Sequence, residues 1–219
     1  MIILFTLLTF LIGGCLPFIG HILIKRLPSD LGSFVVLIFK DIKKKPFSFS
    51  LRYAMMSFLI FSFFIVSETL AFSLPVYLFL SLALSLLIYT DETDFLLPDA
   101  FTLAIFVLGI YLAMGSFDQL LTAIHGIFWG FALSLFMGFT STIKKPDSFG
   151  GGDMKLLMAF GAFVGPMGLS FLVLCSLPFF LIDFFLRGKK RFVPYGPSLI
   201  IAFLITLLFS KSGASLTFF

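Results

Sequence analysis

Eleven acidic residues are spread along this 219-residue chain, and two groups of them have the surroundings that carboxylate chemistry needs. The first group is Asp91-Glu92-Thr93-Asp94, which continues as Phe95-Leu96-Leu97-Pro98-Asp99. The second is Gly150-Gly151-Gly152-Asp153, which continues as Met154-Lys155. Two carboxyl groups can hydrolyse an amide when one, ionised, takes a proton from water and the other, protonated, donates to the carbonyl oxygen. They share a proton because two adjacent negative charges cannot both persist. Asp91 with Asp153 is such a candidate pair. Gly150, Gly151 and Gly152 lack Cβ atoms, so the backbone there can turn tightly and come close to a bound strand. Taken alone, Gly-Gly-Gly-Asp also fits a plain turn followed by a helix cap.

The elements that must position these acids are membrane helices. The chain is 60% hydrophobic and 12% charged, with a mean hydropathy of +1.15. Soluble domains carry about twice that share of charge, which excludes an ordinary globular protein. Two cysteines cannot staple a disulfide scaffold of this size. The expected fold class is an all-α, polytopic transmembrane helical bundle forming a single integral-membrane domain over 1–219. Apolar stretches fall at 2–24, 53–72, 75–90, 100–116, 121–140, 154–166, 168–186 and 196–210, giving eight spans. Seven result if 154–186 is a single bent helix. The third, fourth and sixth are short, and Gly165-Pro166 and Pro194 punctuate breaks. The first stretch has no basic leader of its own and no small-residue cleavage site, so it reads as a retained span.

Fourteen of the fifteen Lys and Arg residues fall in alternate connections, which places those connections in the cytoplasm and both termini outside. The largest is a basic loop over 25–52, able to meet anionic lipid. Both carboxylate groups lie on that same cytoplasmic face. Basic residues interleaved with stacking aromatics are missing, so no nucleic-acid partner is expected.

The acidic segments have a familiar pattern. Asp91 through Asp99 followed by Ala-Phe-Thr-Leu resembles the first catalytic segment of the bacterial type IV prepilin peptidases. Phe-Gly-Gly-Gly-Asp-Met-Lys over 149–155 resembles their second, the Gly-x-Gly-Asp segment of membrane aspartic proteases. Val193-Pro194-Tyr195-Gly196-Pro197 is similar to the entry of the family's last span, and Arg26-Leu27-Pro28 to the close of its first. The resemblance implies catalytic roles for Asp91 and Asp153. Asp94 is the weaker candidate, because the family's catalytic carboxylate stands eight residues before the Asp of Leu-Pro-Asp, here Asp99. Asp99 is expected to cap the fourth helix. Lys155 would neutralise charge or snorkel. The implied substrate is a prepilin or pseudopilin with a basic leader and a hydrophobic helix, cut at the cytoplasmic face of the inner membrane for pilus assembly or secretion. Glu92, Asp94 and Asp147 would attract the leader.

Many relatives carry two Cys-x-x-Cys pairs in the first loop, a zinc-bearing region associated with N-methylation. Cys15 and Cys175 cannot form such a site, so no metal or other cofactor is expected. The resemblance implies the peptidase activity and leaves N-methylation open, because short relatives could bind the methyl donor another way. Competing readings are a presenilin-like or signal-peptide-peptidase-like protease, a proton-coupled transporter, and a noncatalytic assembly factor. Leu-Leu-Pro-Asp disfavours the first. The edge position of the acids and the lack of an internal repeat disfavour the second, and the intact aspartate pair disfavours the third. Elsewhere, Asp183 is expected to pair with Arg187, Trp129 to pack in mid-span, and Gly13, Gly14, Gly161 and Gly165 to allow close helix contact.

Overall fold

A computed structural model of the chain describes residues 2–19, 50–67, 74–95, 97–144, 150–186 and 193–211. Among the described residues the regular structure is all helical, as the composition predicts. Most of the first loop, and with it Glu68, Asp147, Arg187 and His21, lies outside the described residues, so the Asp183–Arg187 pairing does too. The chain forms two compact units, Met1–Thr93 and Asp94–Phe219.

The first unit contains α1 (Ile2–Gly14), α2 (Leu51–Ser67) and α3 (Leu74–Asp94). Gly13 lets α1 and α2 approach, because a Cβ there would run into the Ser57 hydroxyl and lie 3.0 Å from the Tyr53 carbonyl. Between helices in lipid there is little hydrophobic driving force, so close approach and packing hold them together. Phe64 stacks on Tyr77 at 5.8 Å, while Tyr53 meets Tyr89 edge-on at 4.9 Å. These contacts make α2 and α3 antiparallel. The third span is longer than expected. Thr93 Oγ1 donates to the Tyr89 carbonyl at 2.9 Å, and the helix runs past the apolar stretch to Asp94.

The second unit contains α4 (Asp99–Ala113), α5 (Phe117–Lys144), α6 (Gly151–Leu186) and α7 (Gly196–Lys211). At 1.5 Å per residue, the 36 residues of α6 would reach about 54 Å, nearly twice a hydrocarbon core of ~30 Å. The chain does not run straight. Gly126 and Gly161 face each other so closely that a Cβ on either would strike the other's carbonyl, and Gly130 sits in the same way over Leu157. Trp129 is therefore level with Met158, yet its indole donates to Ser170 Oγ at 2.8 Å. On a straight helix Ser170 would lie about 18 Å beyond Met158. The helix must turn back between them.

The reversal is at Gly165, with φ 63° and ψ −177°, a region that glycine alone enters readily. Pro166 follows, suited to a helix start because it has no N–H to leave unpaired. Two arms, 151–164 and 166–186, thus replace the single bent helix, so the described residues hold eight helical segments rather than seven. Trp129 also does more than pack, since it ties α5 to the second arm. Phe203 of α7 stacks on Phe160 at 4.1 Å and meets Phe163 edge-on, while Phe209 meets Phe171 on the second arm. Accordingly α7 runs parallel to the first arm and antiparallel to the second.

Helices α3, α5 and α6 are long and apolar enough to cross a membrane; α1, α2, α4 and α7 are shorter apolar helices. Phe128, Phe131, Phe136 and Phe139 on α5 and Leu174, Leu181 and Phe185 on α6 are exposed, as suits a surface in lipid. Buried hydroxyls such as Ser85, Ser134 and Thr206 donate to carbonyls one turn back in their own helices, the usual solution where water is absent.

Candidate active site

In the first unit, the candidate residues occupy the last turn of α3. Asp91 is 5% exposed, in an apolar helix whose neighbouring positions Leu86, Leu87 and Ile88 are also buried. Glu92 is held from another helix. Arg52 Nη2 lies 2.9 Å from its Oε1, and the Tyr53 hydroxyl donates to Oε2 at 3.2 Å. Asp94 is the final residue of α3, with a side chain outside the description. Phe95 then leaves the helix with φ 54°, the left-handed conformation that commonly ends one.

In the second unit, the candidates open α6. Gly150 precedes the helix and accepts a hydrogen bond from Asp153 N at 3.2 Å, so Asp153 stands inside the first turn rather than at the cap. The unpaired N–H groups and dipole of a helix start favour a carboxylate there. The three glycines differ in their surroundings. Around Gly151 nothing among the described residues lies within 4 Å of where a Cβ would be. At Gly152 a Cβ would come within 2.8 Å of Leu97 Cβ, and at Gly150 within 3.5 Å of Asp153 Oδ2. The absent side chain at Gly152 is what lets Leu97, just ahead of Pro98-Asp99, lie against the helix start.

Asp99 departs from its expected role. Pro98 occupies the cap position of α4, and no side-chain capping bond is made. Asp99 instead stands in the first turn and receives Lys155 Nζ, 2.7 Å from each of its carboxylate oxygens. Lys155 therefore neutralises charge, and the charge is that of Asp99. Leu97–Gly152 and Asp99–Lys155 are two separate ties between the Leu-Pro-Asp and Gly-Gly-Gly-Asp segments. Beside them, a cavity of about 330 Å³ is lined by Asp99, Thr102, Leu103, Phe106, Lys155 and Met158.

Tyr195, from the Pro-Tyr-Gly-Pro segment ahead of α7, shares a hydrogen bond of 2.5 Å with Ser176 on the second arm. Burial pushes its phenol upward, the Ser176 bond lowers it, and the Asp153 carboxylate raises it again. Sequence reasoning missed Arg52, Tyr53 and Ser176. Arg52 was one of many cations in a basic connection, and hydroxyls buried in apolar helices give no local signal. Among the described residues, no group of three His, Cys, Asp or Glu side chains could hold a metal ion.

These features define a helical membrane protein whose candidate chemistry rests on carboxylates at helix ends. It belongs to the type IV leader peptidase family, whose model matches residues 78–210 and so takes in both acidic segments and Pro194-Tyr195-Gly196-Pro197. The chain is 36% identical over 121 residues to a prepilin leader peptidase/N-methyltransferase of Vibrio cholerae serotype O1, covering 52% of this chain and 48% of that one. Proteins of the same name from Aeromonas hydrophila and Legionella pneumophila are 33% and 32% identical, covering 62% and 58% of this chain and 49% and 47% of their own lengths. The chain spans about half the length of the curated relatives it matches. No solved structure gives a significant match.

Proposed function

We propose that this chain is a membrane aspartic endopeptidase. It removes the basic leader from prepilin-like or pseudopilin-like substrates at the cytoplasmic face of the inner membrane, with Asp91 and Asp153 as the catalytic pair. One observation carries the reading. The family match spans both acidic segments, and within it Leu97–Gly152 and Asp99–Lys155 tie the sequence following Asp91 to the helix start that bears Asp153.

Asp91 stands on the carbonyl end of α3 and Asp153 on the amide end of α6, so the helix dipoles push their proton affinities apart. The shared proton resides on Asp91, and Asp153 is the base; the pair titrates as a unit. Asp153 takes a proton from water as its oxygen attacks the scissile carbonyl, and Asp91 donates its proton to that carbonyl oxygen. Collapse of the tetrahedral intermediate returns a proton to the departing amine. The substrate's basic leader remains on the side of the cationic loops, where Asp94 and Asp147 offer it negative charge. Its hydrophobic helix lies in lipid, with an apolar side chain in the Leu103–Phe106–Met158 cavity.

Co-expression with a candidate prepilin tests it. The parent should convert precursor to mature form, and Asp91→Ala and Asp153→Ala should each abolish conversion while still accumulating in the membrane. Continued cleavage by either variant would remove that residue from the pair.

A further inference from the structure

The turn of α3 that carries Asp91 is gripped from outside its own helix. Successive residues at the start of α2 occupy both oxygens of Glu92: Arg52 at 2.9 Å and Tyr53 at 3.2 Å. The grip is braced on two sides. Arg52's guanidinium lies 5.6 Å from the Tyr53 ring centroid, and that ring meets Tyr89 edge-on at 4.9 Å. Tyr89 in turn donates its hydroxyl to the Pro17 carbonyl at 3.3 Å. Asp91 thus sits between two residues, Tyr89 and Glu92, that are fixed by other parts of the unit.

An exposed ion pair stabilises little, and Arg52's side chain is 68% exposed. Glu92's side chain, however, is only 12% exposed. Its charge is therefore largely out of water, at a helix end whose dipole opposes it, and one residue from Asp91. Loss of Arg52 would remove the cation 2.9 Å from that charge, and the turn would move or unwind to hydrate it. A carboxylate already held at both oxygens is also poorly placed to receive a substrate cation.

We infer that Arg52 and Tyr53 clamp the last turn of α3 through Glu92, making Arg52 a positioning residue for Asp91 and Glu92 its handle rather than an acid that recruits the leader. The inference rests on the peptidase reading, and the two roles for Glu92 predict opposite kinetics. With a purified prepilin-like substrate and enzyme in lipid nanodiscs, Arg52→Gln and Glu92→Gln should each lower kcat about tenfold, with KM changed less than about twofold. Arg52→Lys should retain most of the activity, and the exchanged pair Arg52→Glu/Glu92→Arg should exceed both charge-removing singles. If Glu92 recruits the leader, Arg52→Gln frees it and lowers KM, whereas Glu92→Gln raises KM at unchanged kcat. Either of those results overturns the clamp.

Amide hydrogen exchange gives a readout independent of cleavage. Arg52→Gln should speed exchange at residues 90–95 about tenfold while leaving α5 unchanged. Unchanged exchange at 90–95 overturns the inference whatever the activity. Faster exchange in Arg52→Gln, alongside a parent that cleaves no prepilin, would sink the peptidase reading and leave the clamp standing.

Discussion

Lys155 holds Asp99 with Nζ 2.7 Å from both carboxylate oxygens, joining the first turn of α6 to the first turn of α4. Their side chains are 48% and 70% exposed, so the pair adds less than about 1 kcal/mol to stability. Its effect on catalysis should be larger, because Lys155 stands two residues after Asp153 and fixes the direction in which that turn leaves the glycines. Lys155→Gln is expected to change the melting temperature by only a degree or two while slowing prepilin cleavage about tenfold. Asp99→Asn should do the same, and the double variant should be no worse than either single one. Additive losses would show that the two residues act apart.

Gly152 and Gly151 are adjacent, yet alanine should affect them in opposite ways. A Cβ on Gly152 would lie 2.8 Å from Leu97 Cβ, a buried atom fixed to the backbone, so the tie between the two segments has to open. Gly152→Ala should cost about 1–3 kcal/mol and most of the activity. Gly151 has open space among the described residues, and Gly151→Ala should hold or raise stability by up to about 1 kcal/mol, since alanine favours helix. Adding Leu97→Ala to Gly152→Ala does not remove the Cβ of residue 97, so rescue should fail. Adding Leu97→Gly should recover part of the loss. Thermal melts of the four proteins in one detergent decide the point.

At Gly165 the cost of a side chain has two parts that can be separated. The backbone, at φ 63° and ψ −177°, disfavours any L residue by about 1–3 kcal/mol. A Cβ would also lie 2.8 Å from Thr122 Cγ2. Thr122→Ser deletes that methyl and relieves only the steric part. Gly165→Ala should therefore lower stability, and Gly165→Ala/Thr122→Ser should recover some of the loss without returning to the parent. Full recovery would mean that the reversal tolerates alanine and that the backbone conformation is not what demands glycine.

The long-range logic of the fold was legible wherever a physical rule acts locally. Apolar length marked the spans, and Gly165-Pro166 marked the break in α6, because a proline after a glycine is hard to accommodate within one helix. The length of α3 was not legible. Asp91, Glu92 and Asp94 look like the end of a helix by polarity, but Arg52, about forty residues earlier, neutralises one of them and the helix continues to Asp94. Asp99 was read as a cap because Pro-Asp before an apolar run is a capping signal. Its actual partner, Lys155, is 56 residues away, and no local pattern could have pointed to it. Charge pairs between helices depend on register, which is set by contacts such as Gly126–Gly161 that a single sequence does not display.

Tyr195 offers an optical probe of the charge on Asp153. Burial and the negative Asp153 carboxylate both disfavour the tyrosinate, and the Ser176 hydrogen bond opposes them. Replacing Asp153 by Asn removes a negative charge, so the phenol should ionise at lower pH than in the parent. Ser176→Ala removes a bond that favours ionisation and should shift the titration the other way. The chain has five tyrosines, so the Tyr195 signal is obtained by subtracting the ultraviolet titration of Tyr195→Phe from that of each parent protein. Both shifts must carry these signs if the Asp153 carboxylate stands close enough to Tyr195 to act on its phenol. A titration that Asp153→Asn leaves unchanged would mean that the Asp153 charge does not reach the Tyr195 phenol.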